Sequence, residues 1–248
     1  ATAPSPPVAS SKSVMSPPAP RPGAPQKIFL HTRGCRALCA WARSVDARSV
    51  PELVASISKD VLGFCRVAAD ACSLQQPPLW SASNPHDMKE VGAVYLGGAS
   101  QLCSGGNDGR VKFWDITAGA RKASSIILVS SHAWVGHIEQ CPTVGLHIIA
   151  HSDGLSLVDP RSKTAVHALK DQGQAYRSFA LAAIGGPPSM LVCAGHPLLH
   201  YDFRSLADVG GSTPHLNAWE FKSNALGLHC CALVGPSDDA RSFYIAAG

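Results

Sequence analysis

The chain has 248 residues, 46% of them hydrophobic and 15% charged, with a formal net charge of +4. That is apolar material for one or two packed domains, and the lack of a basic stripe argues against a nucleic-acid binder. No apolar run reaches the roughly 18 residues that a membrane-crossing helix needs, so no membrane association is expected.

Residues 1–26 hold eight of the 19 prolines and almost no large apolar side chain. Such a segment buries too little surface to offset the entropy of ordering, so a disordered tail is expected there and a folded region over 27–248. Residues 28–30 open a strand, Thr32-Arg33-Gly34 turns, and 36–41 alternates as a second strand with Ala37, Cys39 and Trp41 on one face. Residues 49–56 fit a fourth, outer strand, with an amphipathic helix as the alternative. Residues 61–67 read as the buried first strand of a further unit, 79–82 as a strand and 83–87 as a turn.

The clearest stretch is 102–116. Asn107-Asp108-Gly109 supplies a tight turn, because these residues tolerate positive φ or bond their own backbone. Val111, Phe113 and Trp114 give the following strand its apolar and aromatic content. Residues 91–96 precede it as a first strand and 123–130 follow as a fourth. The next unit has His132 near its start, a second strand over 145–151, a turn at Asp153-Gly154, a third strand over 155–159 and a fourth over 164–169. Another takes 176–184, 189–194 and 198–204. Asp115, Asp159 and Asp202 close successive third strands 44 and 43 residues apart, the regular spacing of a repeat architecture. Residues 224–234 and 242–248 begin one more unit. It stops before its third strand, which would leave an unpaired edge, so the sequence reads as part of a longer chain.

The 102–116 stretch resembles the centre of a WD40 repeat, with Trp114-Asp115 closing the third strand of a propeller blade. In that family a His, a strand Ser or Thr, a turn Asp and the Trp share one hydrogen-bond network. The resemblance assigns these roles to His86, Ser104, Asp108 and Trp114, with Asn84-Pro85-His86 where the family has Gly-His. Trp41 takes the Trp114 role in an earlier blade. The 73 residues between the two tryptophans then leave room for a poorly marked blade. The implied fold is an all-β, incomplete WD40 propeller of about five blades out of the usual seven. Binding would fall on the narrow-face loops around 84–87, 132–134, 172–176 and 217–221, with Trp134, Tyr176 and Trp219 as aromatic anchors.

No Gly-x-Ser-x-Gly elbow, phosphate-cradling loop or His-Glu-x-x-His motif occurs, so no catalytic residue and no cofactor is expected. Cys35, Cys39, Cys65 and Cys72 are the best set for zinc, but Cys39 lies in a predicted strand rather than on a knuckle, so no metal is expected. The nine cysteines fall in no framework spacing, and there is no Asn-x-Ser/Thr sequon. Reduced thiols in the cytoplasm or nucleus follow.

Asp159-Pro160-Arg161 and Asp202-Phe203-Arg204 are similar to the Trp-Asp-x-Arg signature of propellers that recruit the cullin-4 ubiquitin ligase through its adaptor. Arg161 and Arg204 would there contact a carboxylate bidentately. Two other patches resemble the ASTRA-associated protein 1 family, also called G-protein β-subunit-like protein 1. One is 31–41, with His31, Arg33, Leu38 and Trp41, followed by Phe64-Cys65. The other is 160–170, with Ser162-Lys163-Thr164 and Ala168-Leu169, followed by the segment 192–195. That resemblance implies a non-enzymatic scaffold assisting assembly of phosphatidylinositol-3-kinase-like kinases, with Tel- and Tti-type partners.

Overall fold

Short strands make every described secondary-structure element of this chain. The computed structural model describes residues 35–41, 52–67, 75, 78–97, 100–119, 121–131, 133–141, 145–162, 164–169, 176–182, 189–193, 197–202, 217–220, 231–234 and 244–247. The first sheet contains β1 (Ala37–Trp41), β2 (Leu53–Ile57), β3 (Val61–Arg66) and β4 (Trp80–Ser83). The second contains β5 (Val91–Leu96), β6 (Gln101–Gly106), β7 (Arg110–Asp115) and β8 (Ser125–Leu128). The third contains β9 (Val135–Gln140), β10 (His147–His151), β11 (Gly154–Val158) and β12 (Ala165–Leu169). The fourth contains β13 (Ser178–Ala182), β14 (Ser189–Cys193), β15 (Pro197–Asp202) and β16 (Asn217–Glu220). A two-stranded sheet of β17 (Cys231–Val234) and β18 (Tyr244–Ala247) follows. All pairings are antiparallel, and within each sheet the spatial order is the chain order.

Consecutive sheets meet through their first strands. β1 lies against β5, β5 against β9, β9 against β13 and β13 against β17. Because side chains alternate across a strand, each sheet feeds two apolar layers. Leu102 and Trp114 enter the layer shared with Ile57, Leu62, Phe64 and Trp80 of the first sheet. Their neighbours Cys103 and Phe113 enter the opposite layer with Ile138, Ile149 and Val158 of the third. Ile148, Ala150 and Leu157 meet Phe179 and Leu199 of the fourth.

Glycine sets how closely the sheets approach. A Cβ on Gly92 of β5 would lie 2.2 Å from the Val135 carbonyl oxygen, and one on Gly136 of β9 would lie 2.7 Å from the Arg177 carbonyl oxygen. The same Val-Gly pair thus opens β5 and β9, 44 residues apart, and brings each first strand onto the backbone leading into the next. Gly92→Ala forces the two strands apart and is expected to cost about 2 kcal/mol, as overpacking of a filled interior does. Urea unfolding of the two proteins measures it.

Three expectations need correction. Residues 36–41 and 49–56 do not form a blade separate from 61–67: β1, β2 and β3 are neighbours in one sheet. Ser58 makes the join. Its N–H donates to the Val61 carbonyl at 2.8 Å and its Oγ accepts the Val61 N–H at 3.1 Å, closing a hairpin without glycine. Cys65, fifth in β3 as Trp114 is fifth in β7, therefore holds the place assigned to Trp41, and β4 leads into β5 with no blade between them. Last, 217–220 is the strand β16 and pairs with β15, so Trp219 stands in a sheet rather than in a loop. The expected strand at 28–30 and the tail at 1–26 lie outside the described residues.

Candidate functional site

The loop between β4 and β5 carries His86 onto the second sheet. Asn84 adopts φ 49°, a left-handed conformation that asparagine tolerates better than most residues. Its N–H donates to the Asp60 carbonyl at 2.7 Å, and Lys89 N–H closes the loop on the His86 carbonyl at 2.8 Å. The imidazole then lies over Gly106, where any Cβ would come within 2.7 Å of the ring.

The four residues His86, Ser104, Asp108 and Trp114 are bonded in one chain. Trp114 Nε1–H donates to Ser104 Oγ at 2.9 Å, and Ser104 Oγ lies 2.9 Å from His86 Nε2. His86 Nδ1 lies 2.8 Å from Asp108 Oδ1, which also accepts the Arg110 N–H at 3.2 Å. With the carboxylate as acceptor, Nδ1 carries the ring proton and the Ser104 hydroxyl donates to Nε2. Burial works to raise the Asp108 carboxyl. The hydrogen bond from His86, the Arg110 N–H and the Lys112 charge outweigh it and hold the group below its ordinary value.

The connectivity is that of a Ser-His-Asp relay, yet the surroundings differ from those of a nucleophile. His86 and Ser104 are fully buried, and the Ser104 oxygen already accepts the Trp114 indole N–H. Trp114 also meets Trp80 edge-on, with ring centroids 5.7 Å apart, so the network ties the first sheet to the second.

The third sheet solves the same problem differently. Ile149 and Val158 are apolar, and the ring comes from the strand itself. His151 Nδ1 accepts the Asp153 N–H at 3.2 Å, and Nε2 lies 2.9 Å from Ser156 Oγ. The sequence signal for this arrangement, His151 followed by Asp153-Gly154 and Ser156, is readable but was not assigned a role. Two further histidines sit between sheets. His137 stacks on Phe179 at 4.5 Å and bonds Ser178 Oγ at 3.0 Å; burial lowers its pKa to about 4. His147 is fully buried between Tyr95 and Phe113, and burial lowers its pKa to about 4 although Asp159 acts in the opposite sense.

The candidate surface residues fare unequally. Trp134 is half-buried, with the exposed Arg177 guanidinium 5.5 Å above its ring. Tyr176 is fully buried beside Phe179 and Leu199 and is a core residue, not an anchor. Arg161 is exposed, but its guanidinium grips Asp159 of the same turn, with Nε to Oδ1 at 3.0 Å and the terminal nitrogen to Oδ2 at 2.8 Å. These hydrogen bonds hold the Asp159 carboxyl below its ordinary value. The pair is solvent-exposed and of the kind that adds little stability. Arg161→Ala is expected to leave the melting temperature within error, as differential scanning fluorimetry would read. Arg204 and His132 lie outside the described residues, as does the side chain of Trp219.

A polar cleft of about 430 Å³ opens beside Trp114, with Ser100, Gln101, Asp115, Thr117 and Ser124 on its walls. Its carboxylate is engaged: Asp115 Oδ1 accepts from Thr117 N–H, Thr117 Oγ1 and Ala118 N–H at 2.7–3.1 Å. Among the described residues no three His, Cys, Asp or Glu side chains converge as metal ligands. No described helix is long and apolar enough to cross a membrane.

No family model matches this chain, and no curated protein matches it. Among solved structures it is similar to the computationally designed Ika8 protein, with a TM-score of 0.58 and 14% identity over 88% of this chain and 56% of that one. It is also similar to Raptor of Chaetomium thermophilum, with a TM-score of 0.57 and 14% identity over 73% of this chain and 16% of that one. The chain therefore spans about half the length of the first and about a sixth of the second. At this identity the likenesses concern the fold, an all-β array of antiparallel sheets that is β-propeller-like.

Proposed function

We propose that the chain is a WD40-type β-propeller fragment and serves as a non-catalytic scaffold for protein–protein interaction. The observation that carries this reading is the succession of sheets whose first strands lie side by side in chain order. The hydrogen-bonded His86, Ser104, Asp108 and Trp114 between the first two sheets add to it, as does the likeness to Raptor, a WD40-containing protein. Rigid sheets with filled interiors offer their rims, loops and outer edges to partners. The finer reading is a cytoplasmic or nuclear factor in the assembly of phosphatidylinositol-3-kinase-like kinases. It is supported by the sequence patches at 31–41 and 160–170 alone.

Affinity purification of the tagged protein, with mass spectrometry of what it retains, tests both levels. Recovery of Tel- and Tti-type proteins supports the kinase-assembly reading. Recovery of cullin-4 and its adaptor overturns that finer reading in favour of a ligase receptor, and Arg161→Ala and Arg204→Ala should then abolish it. Absence of any stoichiometric protein partner overturns the scaffold reading itself.

A further inference from the structure

The carboxylates that close the third strands of the second and third sheets are held alike, but only one of them meets a cation. In each, the N–H two residues on donates to the aspartate Oδ1: Thr117 to Asp115 at 3.0 Å, and Arg161 to Asp159 at 2.9 Å. In the third sheet the side chain at that position is a guanidinium. Arg161 Nε bonds Asp159 Oδ1 at 3.0 Å, and its terminal nitrogen bonds Oδ2 at 2.8 Å. In the second sheet the same position holds threonine. Its hydroxyl donates to Asp115 Oδ1 at 2.7 Å, and the Ala118 N–H adds a third bond to that oxygen. Asp115 Oδ2 has no hydrogen-bond or ion-pair partner among the described residues.

Asp115 lines the cleft of about 430 Å³ beside Trp114, a volume within the roughly 300–1,000 Å³ of ligand sites. The hydrogen-bonding capacity left on its walls sets the chemistry of a ligand. Ser124 Oγ–H is spent on the Phe113 carbonyl at 3.0 Å, and Thr117 Oγ1–H on Asp115, so both oxygens have only lone pairs to offer. Asp115 Oδ2 adds further lone pairs and a negative charge. The Ser100 hydroxyl and the Gln101 amide make no hydrogen bond among the described residues and can take either part. No described lysine, arginine or histidine lines the cleft. Arg121 and Lys122 stand in the same β7–β8 connection, yet neither forms an ion pair with Asp115. Hydrogen bonds from Thr117 and Ala118, not a cation, hold the Asp115 carboxyl below its ordinary value. The walls are thus rich in acceptors and carry one uncompensated negative charge.

We infer that this cleft receives an arginine side chain of a partner protein, whose guanidinium takes on Asp115 the place that Arg161 takes on Asp159. The planar fork donates to Asp115 Oδ2, and its other N–H groups are matched by the lone pairs of Thr117 and Ser124. A lysine ammonium, a compact point charge, suits such a spread of acceptors less well. This names the partner chemistry of the scaffold proposed above and rests on that reading.

The test titrates the isotope-labelled chain with acetyl-Gly-Arg-Gly-amide and follows the Thr117 and Ala118 amides and the Trp114 indole N–H by NMR. The arginine tripeptide is expected to shift them saturably. It should bind about tenfold or more tightly than its citrulline counterpart, which keeps the shape and loses the charge. Asp115→Asn keeps an Oδ1 acceptor for the turn, removes Oδ2 and the charge, and should weaken binding by about tenfold or more. Thr117→Arg supplies a guanidinium from the chain itself, as Arg161 does, and should abolish binding. An unchanged circular dichroism melt shows that each variant folds, and the comparison of the two tripeptides needs no variant. No saturable shift, equal binding of the citrulline tripeptide, or unchanged binding by Asp115→Asn overturns the inference. In affinity purification, partners lost by Asp115→Asn support the cleft as their site. Partners retained by Asp115→Asn overturn the cleft and leave the scaffold standing; no partner for either protein overturns the scaffold.

Discussion

Ser104→Ala is expected to destabilise the protein by about 3 kcal/mol, far more than the loss of one small hydroxyl suggests. The Ser104 oxygen accepts from Trp114 Nε1–H and its hydroxyl serves His86 Nε2, each at 2.9 Å. All three side chains are at most 4% exposed, so water cannot replace the missing atom. Removing it leaves a buried donor and a buried acceptor unpaired, each costing about 1–3 kcal/mol. Ser104→Thr keeps the oxygen and should lose much less. Equilibrium urea denaturation of the three proteins measures the difference. A loss near zero for the alanine variant would mean that the indole and imidazole find other partners.

The second large effect is a loss of stability on mild acidification. His137 and His147 have folded pKa values of about 4 against 6.5 when free. Below 6.5 the unfolded chain takes up protons that the fold refuses, so stability falls with pH until the folded values near 4 are reached. By pH 5 each contributes a loss of about 2 kcal/mol, roughly 4 kcal/mol together. Asp108 acts in a different window. Its folded carboxyl lies below the ordinary 3.8, so its contribution is intact above that value and disappears only below it.

His147→Phe separates the histidines. Both ring nitrogens of His147 lack a hydrogen-bond partner among the described residues, and the ring sits 5.0 Å from that of Phe113. A phenyl ring suits this site, so the variant should be at least as stable at pH 7 and lose about half as much by pH 5. Chevron or urea titrations at the two pH values give both numbers. An unaltered pH slope would place the acid sensitivity elsewhere.

Much of the second sheet can be read from the sequence because local chemistry dictates it. Asn107-Asp108-Gly109 cannot easily continue a strand; at Gly109, φ is 69° and a Cβ would collide with the Ser130 carbonyl. The network residues are legible through the resemblance to the WD40 repeat, which assigns His86, Ser104, Asp108 and Trp114 their roles by position. The first sheet is hard to parse for the converse reason. Its β2–β3 hairpin turns on Ser58-Lys59-Asp60, without glycine, and β1 is placed by its pairing with β2. Tyr176 shows the limit for surfaces. An aromatic after a polar run reads as a loop anchor, and only its place in the apolar cluster between the third and fourth sheets buries it. The openness of β8 is likewise invisible in 125–128, since exposure of Ile126 depends on what the neighbouring sheet fails to cover.

Residue-resolved amide hydrogen exchange of the whole chain tests the central claim most directly, namely that consecutive sheets are joined through their first strands and left open at their outer ones. The account predicts that amides of β5, β6, β9 and β10 exchange slowest. It also predicts a Trp114 indole N–H protected along with them, and β8 amides that exchange much faster than those of β6. Protection of β8 equal to that of β6, or β5 and β9 exchanging as fast as the loops, would contradict it.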